Sequence, residues 1–255
     1  MDRVTRMDYR PFLADIHRQT QPRAYLEIGV RNGNSLALSR CPSVGVDPAY
    51  SITAELKAPV ALHRTSSDEF FTRPDPLADT AGVPFDLSFI DGMHLFEFAF
   101  RDFMNAERYS SPNGVIVFDD VLPRTVEEAA RVRETREWTG DVYPMIEVLA
   151  RYRPDLSVLP VGTQPTGLLL VVGLDPTSTT LADHYDEIID EFRRPDPQPV
   201  PLGVMDRLTA LPPERVLAAG FLELLADHTA PDGDLARRVK DNIAAELGVG
   251  FVTVG

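Results

Sequence analysis

The sequence predicts an α/β fold: a doubly wound, mostly parallel sheet of seven strands, followed by a helical C-terminal extension. Three observations carry this reading. Short apolar runs alternate with longer amphipathic stretches over the first two thirds of the chain. Phe85–Ile90 and Val115–Phe118 are largely apolar, as strands covered on both faces are. Between them, Leu95, Phe98, Ala99, Phe103 and Ala106 recur at helical spacing among charged residues, which predicts a helix over Leu95–Tyr109.

In chain order, the strands are expected at Arg23–Gly29, Ser43–Asp47, Val60–His63, Phe85–Asp91, Val115–Asp120, Leu156–Val161 and Gly167–Gly173. The last two are joined by Gly162-Thr163-Gln164-Pro165-Thr166, short enough for a hairpin, which places an antiparallel strand at one end of the sheet. After Gly173 the character changes. Leu181–Arg194 reads as an acidic amphipathic helix, and the alternate prolines 195, 197, 199 and 201 as an extended hinge. Helices are expected at Pro213–His228 and Asp232–Leu247, the second opening on an acidic cap and closing at Gly248. The division is a core domain over residues 1–175 and an extension over 176–255, the latter a lid or an oligomer contact. Leu217, Phe221, Leu224 and Leu225 form an apolar stripe in it, and Gly250–Val254 an apolar tail able to add a strand.

Composition limits the partners. The 255 residues include 39 acidic against 25 basic side chains, a formal charge of −14. Such a field repels phosphate backbones and anionic lipid, so neither nucleic acid nor membrane is expected as a partner. No window holds the roughly 18 apolar residues that span a bilayer. The N-terminal residues lack the apolar stretch of a signal peptide, which points to the cytoplasm. A single cysteine, Cys41, excludes an internal disulfide and a Cys-rich zinc site.

In an open parallel sheet, ligands sit beyond the carboxyl ends of the strands. The first such end reads Glu27-Ile28-Gly29-Val30-Arg31-Asn32-Gly33, a strand–glycine turn–helix pattern with an acceptor, Glu27, beside the turn. The second ends in Asp47, about twenty residues after the turn, where an acid can accept both hydroxyls of a ribose. A third segment, Thr65-Ser66-Ser67-Asp68-Glu69-Phe70-Phe71, offers polar groups and an aromatic pair suited to an adenine edge. The spacing is not GxGxxG, which argues against a pyrophosphate-bearing dinucleotide. Order and spacing together predict an adenosine-type site.

The acidic cluster is the more informative feature. Two apolar runs enter Asp91-Gly92-Met93-His94 and Asp119-Asp120. On neighbouring strands, whose axes lie ~5 Å apart, Asp91, Asp119 and Asp120 converge. Crowded carboxylates raise one another's pKa unless a cation neutralises them, and oxygen ligands of this kind suit Mg²⁺ or Mn²⁺. The competing reading makes Asp119 and Asp120 helix N-caps. His94 is a candidate base, a metal ligand, or a first-turn residue of the following helix. His17, His63, His184 and His228 lack such surroundings.

The segments LEIGVRNGNS, VGVDP, TSSDEFF, FDLSFIDGMH and GVIVFDDVLP, in this order, resemble the class I S-adenosylmethionine-dependent methyltransferases. The nearest branch is the bacterial one whose metal-dependent members methylate sugar and antibiotic hydroxyls. Trp138-Thr139-Gly140-Asp141-Val142 is similar to a recurring segment of that branch. The resemblance covers about residues 20–173. It implies a Rossmann-like methyltransferase sheet, with Glu27, Gly29 and Gly33 around the amino-acid part of S-adenosylmethionine, Asp47 on the ribose, Ser67 with Asp68 on the adenine, and Asp91 as a further cofactor-binding residue. Asp91, Asp119 and Asp120 match the metal positions, with Asp119 where many relatives have His. Some relatives carry an acid where Met93 stands here; methionine is no base, which leaves His94, a metal ligand or hydroxide for that task. Asp91 and His94 are thus the candidate catalytic residues. The expected reaction is O-methylation of a hydroxylated small molecule, such as a sugar, assisted by Mg²⁺ or Mn²⁺. A metal-independent enzyme and a non-catalytic binding protein are the alternatives.

Overall fold

A computed structural model describes residues 7–228 and 232–248. Seven strands form one sheet: β1 (Tyr25–Ile28), β2 (Ser43–Val46), β3 (Val60–His63), β4 (Phe85–Ile90), β5 (Ser110–Phe118), β6 (Ser157–Val161) and β7 (Leu168–Val172). Their order is β3-β2-β1-β4-β5-β7-β6, so chain direction across the sheet reverses between β1 and β4, the switch point of a doubly wound fold. The first five strands pair in parallel, and β7 runs antiparallel to both β5 and β6. The antiparallel strand is therefore one place in from the edge rather than at it, because the β6–β7 hairpin folds back and docks its second strand on β5.

The helices among the described residues are α1 (Tyr9–Thr20), α2 (Ser67–Phe70), α3 (Phe96–Arg108), α4 (Met145–Tyr152), α5 (Thr180–Asp183), α6 (Tyr185–Phe192), α7 (Leu202–Met205), α8 (Pro213–Ala218), α9 (Phe221–Leu225) and α10 (Asp232–Leu247). One face of the sheet packs against α3, α4 and α6 through Phe96, Phe100, Phe103, Met145, Ile188 and Phe192. The other packs against α1, α9 and α10 through Phe12, Ile16, Phe221, Leu225, Val239 and Ile243. The extension thus supplies cover for both faces. Within the predicted stripe, Phe221 and Leu225 are buried and Leu217 and Leu224 partly so, all within this core.

Several elements depart from the sequence reading. The glycine turn leads only into a single 3₁₀ turn, Leu36–Leu38, which closes before Pro42 starts the approach to β2. The predicted helix over 181–194 divides into α5 and α6 at His184. That over 213–228 divides into α8 and α9, because Ala219 is extended and the Gly220 N–H donates to Glu246 of α10 at 3.3 Å. β5 begins five residues early, at Ser110, through an irregularity opposite Phe85 and Leu87. No helix follows Asp120; residues 121–144 are irregular, so Asp119 and Asp120 cap none. The Gly250–Val254 tail lies outside the described residues.

Beneath α3 and α4, Arg153 is 2 % exposed and gives one nitrogen to Glu107, at 2.7 Å, and others to Asp155. Glu107 also accepts the Asp175 N–H, tying the end of α3 to the chain leaving β7. Removing one partner of such a pair strands a buried charge. Arg153→Met is expected to cost roughly 3–5 kcal/mol, seen as a lower urea midpoint at unchanged slope.

Candidate active site at the carboxyl end of the sheet

Register sets the site. Ile28 pairs with Val46 and Ile90, and Ile90 with Phe118, so four strands end level. The next residue of each, Asp47, Gly29, Asp91 and Asp119, falls in a row along the lip. Backbone bonds hold it: Gly29 N–H to Val46, Asp91 N–H to Ile28 and Asp119 N–H to Ile90, at 2.8–3.0 Å.

Gly29 has φ +89°, and a Cβ there would lie 1.9 Å from the Asp91 carbonyl oxygen. The turn after β1 therefore leans directly on the loop after β4, an approach open only to glycine. Glu27 lies beneath, fully buried, accepting from the Tyr25 hydroxyl at 2.6 Å and the Ser35 hydroxyl at 2.9 Å. Burial pushes its carboxyl up to about 8, against the lowering effect of those two bonds. Asp47 clamps the turn from the other side: its Oδ2 accepts the Val30 and Arg31 N–H groups, and its Oδ1 that of Ala49. Gly33 has φ +81° and closes the turn by donating to Val30.

The third predicted segment is held in internal contacts. Asp68 makes a bidentate pair with Arg101, at 2.9 and 2.8 Å. The Ser67 hydroxyl bonds to Asp102, a carboxyl on α3 that burial pushes up to about 7. Asp102 in turn lies against the loop after β4, where a Cβ on Gly92 would stand 3.5 Å from its Oδ2.

Asp91, His94 and Asp120 come together. Each offers one ligand atom, and the three atoms lie within 4.8 Å of one another. His94 Nδ1 is 2.8 Å from Asp120 Oδ2, and its Nε2 is 3.4 Å from Asp91 Oδ1. Asp119 stands outside this trio; it is buried, and its Oδ1 accepts the Asp120 N–H at 2.9 Å. Both His94, at φ +55°, and Asp120, at φ +61°, hold left-handed backbone, a conformation uncommon outside glycine that His and Asp adopt more readily than most residues.

Charge is crowded here. Burial, with the charges of Asp120 and Glu27, raises the Asp91 carboxyl well above its ordinary range. Burial, with Asp120 and Asp91, does the same to Asp119. Burial disfavours the His94 cation, but the bond to Asp120 and the charges of Asp120 and Asp119 outweigh it and raise its pKa. Two carboxylates and an imidazole suit a divalent cation, and the imidazole favours Mn²⁺ over Mg²⁺.

The residues 138–142 build the far wall. Gly140, φ +54°, packs against the His94 backbone, where a Cβ would meet the carbonyl oxygen at 1.7 Å. Trp138 lies over the His94 ring with centroids 5.2 Å apart. Asp141 is fully buried; its Oδ1 accepts the Phe96 N–H at the start of α3, and its Oδ2 pairs with Arg131. A residue the sequence did not mark is Tyr9, at the start of α1. Burial and the charges of Asp119 and Asp91 raise its phenol, so it stands within electrostatic reach of the cluster. A lone tyrosine far upstream leaves no pattern to detect.

Residues 26–121 match a family model described as a methyltransferase domain. That span holds the glycine turn, Asp47, Asp91 and both acids after β5, and agrees with the resemblance drawn from the sequence. No curated protein matches the chain. Among solved structures, the O-methyltransferase TomG from Streptomyces achromogenes, involved in tomaymycin synthesis and bound to S-adenosylmethionine, is 20 % identical; the match covers 64 % of this chain and 78 % of that one, with a TM-score of 0.49. An O-methyltransferase from Bacillus cereus in complex with S-adenosylhomocysteine is 20 % identical over 64 % of this chain and 79 % of its own, with a TM-score of 0.44. Cofactor-bound Rv0187 from MTB is 21 % identical over 68 % and 83 %, with a TM-score of 0.47. Among the described residues, no helix is long and apolar enough to cross a membrane.

Glu27 makes the site's framework pH-sensitive. Its folded pKa of about 8 exceeds the ordinary 4.5, so between these values the native state holds more protons than the unfolded one. Stability therefore falls as pH rises through that window. Glu27→Gln is expected to flatten the decline in melting temperature between pH 5 and 8.

Proposed function

We propose that the protein is an S-adenosylmethionine-dependent O-methyltransferase acting on a hydroxylated small molecule. The observation that carries this reading is the row Asp47–Gly29–Asp91, set at the switch point inside the segment that matches a methyltransferase domain. The donor is a sulfonium with an ammonium group, and a lip carrying the half-buried carboxyls of Asp47 and Asp91 would offer it negative charge. Asp47 would take the ribose hydroxyls, and the turn at Gly29 the amino-acid end.

In the reaction, the acceptor oxygen attacks the methyl carbon in line. The C–O bond forms as the S–C bond breaks, the sulfur leaves with the electron pair as a neutral thioether, and the hydroxyl proton passes to a base. Holding donor and acceptor ~3 Å apart in line accounts for much of the acceleration. Asp91, His94 and Asp120 would hold a divalent cation, Mg²⁺ or Mn²⁺, and such an ion would supply a lowered pKa to a hydroxyl bound beside it. One observation favours a second reading. His94 Nδ1 approaches Asp120 at 2.8 Å and its Nε2 approaches Asp91 at 3.4 Å, so the imidazole is a base oriented by carboxylates on both sides, which needs no metal.

Calorimetric titration with S-adenosylmethionine tests the donor site. Micromolar binding is expected, weakened at least tenfold in Asp47→Ala; no binding to the intact protein defeats the reading. A metal-dependent enzyme gains affinity or activity with Mn²⁺, loses it to a chelator, and loses the metal response in Asp120→Ala. Activity indifferent to chelation, yet abolished in His94→Ala, favours the metal-free base.

A further inference from the structure

A cavity of about 420 Å³, within the range that holds a small organic ligand, opens beside the β6–β7 turn. Met7, Met205 and Leu211 give it an apolar wall, and Arg124, Arg207 and Glu214 its charged groups. The walls are continuous with the site. Leu122, two residues after Asp120, donates to Thr166 at 2.7 Å, pinning that loop to the β6–β7 turn. Gln164 of the same turn donates to Met7 and accepts from Tyr9, at 2.8 and 3.0 Å. The cavity is thus bounded by the segment leaving Asp120 on one side and by that leading into Tyr9 on the other.

We infer that this cavity receives the methyl acceptor, and that the acceptor carries an oxyanion, a carboxylate or phosphate, which Arg124 binds. The inference rests on the methyltransferase reading for the word acceptor, but not for the anion site itself. Arg124 is fixed before any ligand arrives. Its Nε and Nη2 are held by Glu128, whose carboxylate also accepts the Arg124 backbone N–H at 2.8 Å. Glu128 is 8 % exposed at its side chain, Arg124 42 %. The Nη1 of Arg124 has no partner among the described residues, and a guanidinium locked on two nitrogens presents its remaining N–H groups in a fixed direction. Arg207 braces the opposite wall by donating to the carbonyls of Thr163 and Pro165. Arg124 is ion-paired with Glu128 and lies within the field of Glu137, so the positive charge a ligand meets is confined to the open Nη1 edge of its guanidinium. Those fixed N–H groups select an anion by direction, while the methionines and leucine accommodate its carbon frame.

The test is equilibrium binding of four probes to the full chain: 3,4-dihydroxybenzoate with neutral catechol, and glucose 6-phosphate with neutral glucose. At least one anion is expected to bind tenfold or more tightly than its neutral counterpart; which one distinguishes carboxylate from phosphate. Arg124→Gln is expected to abolish that preference. Arg124→Lys, which keeps the charge but loses the fork, should retain part of it and serves if the glutamine variant fails to fold. Equal binding of anion and neutral probe, binding of none, or a preference unchanged in both variants overturns the proposal. Donor titration is run in parallel. Donor binding without an anion preference defeats this inference alone, whereas an anion preference without donor binding defeats the methyl-transfer reading and leaves the anion site standing.

Discussion

The level ends of β2, β1, β4 and β5 are the constraint on which the rest depends. Parallel strands in this register deliver one residue each to the same line, and the backbone bonds of the ladder fix their spacing before any side chain is considered. Glycine in that line lets the loop after β4 lie against the turn after β1. Without the contact between Gly29 and the Asp91 carbonyl, the acids on the two sides of the switch point would have no fixed relation.

A second close contact orients the chemistry. The helix α3 starts at Phe96 without a side-chain cap of its own, and Asp141, forty-five residues away, fills that role. The same loop places Gly140 on the backbone of His94 and Trp138 on its ring. One segment therefore caps a helix, fixes a strained histidine and excludes solvent from its face. Arg131 secures it by bridging Asp141 to Glu97 on the first turn of α3.

Electrostatics explains why these acids read as a site rather than as ornament. Like charges 4 Å apart repel by ~4 kcal/mol at an effective dielectric of ~20, a load no fold carries without a proton or a cation to share. Asp91 and Asp119 are both driven toward the protonated form, and the nearest cationic partner in the cluster is His94. The cluster is poised for positive charge.

Periodicity and strand ends were legible in the chain because each depends on a residue's immediate neighbours. Seven strands, α1's apolar partners excepted, follow from local apolar runs, and the row of Asp47, Gly29 and Asp91 from residues that end them. Short-range signals overreached where a helix depended on distant contacts: the 213–228 stretch divides where Ala219 is extended and the Gly220 N–H is taken by Glu246 of α10. The sequence marked Asp91, His94, Asp119 and Asp120 as candidates; which three converge, Asp91, His94 and Asp120, lay beyond it, since that depends on backbone torsions such as the left-handed ones at His94 and Asp120. So was the engagement of Asp68 by Arg101, which a change of rotamer on α3 would undo. The sequence by itself determined the sheet, its switch point and the residues delivered to the lip; tertiary structure decided which of them converge, because convergence depends on backbone torsions and on contacts between segments far apart in the chain.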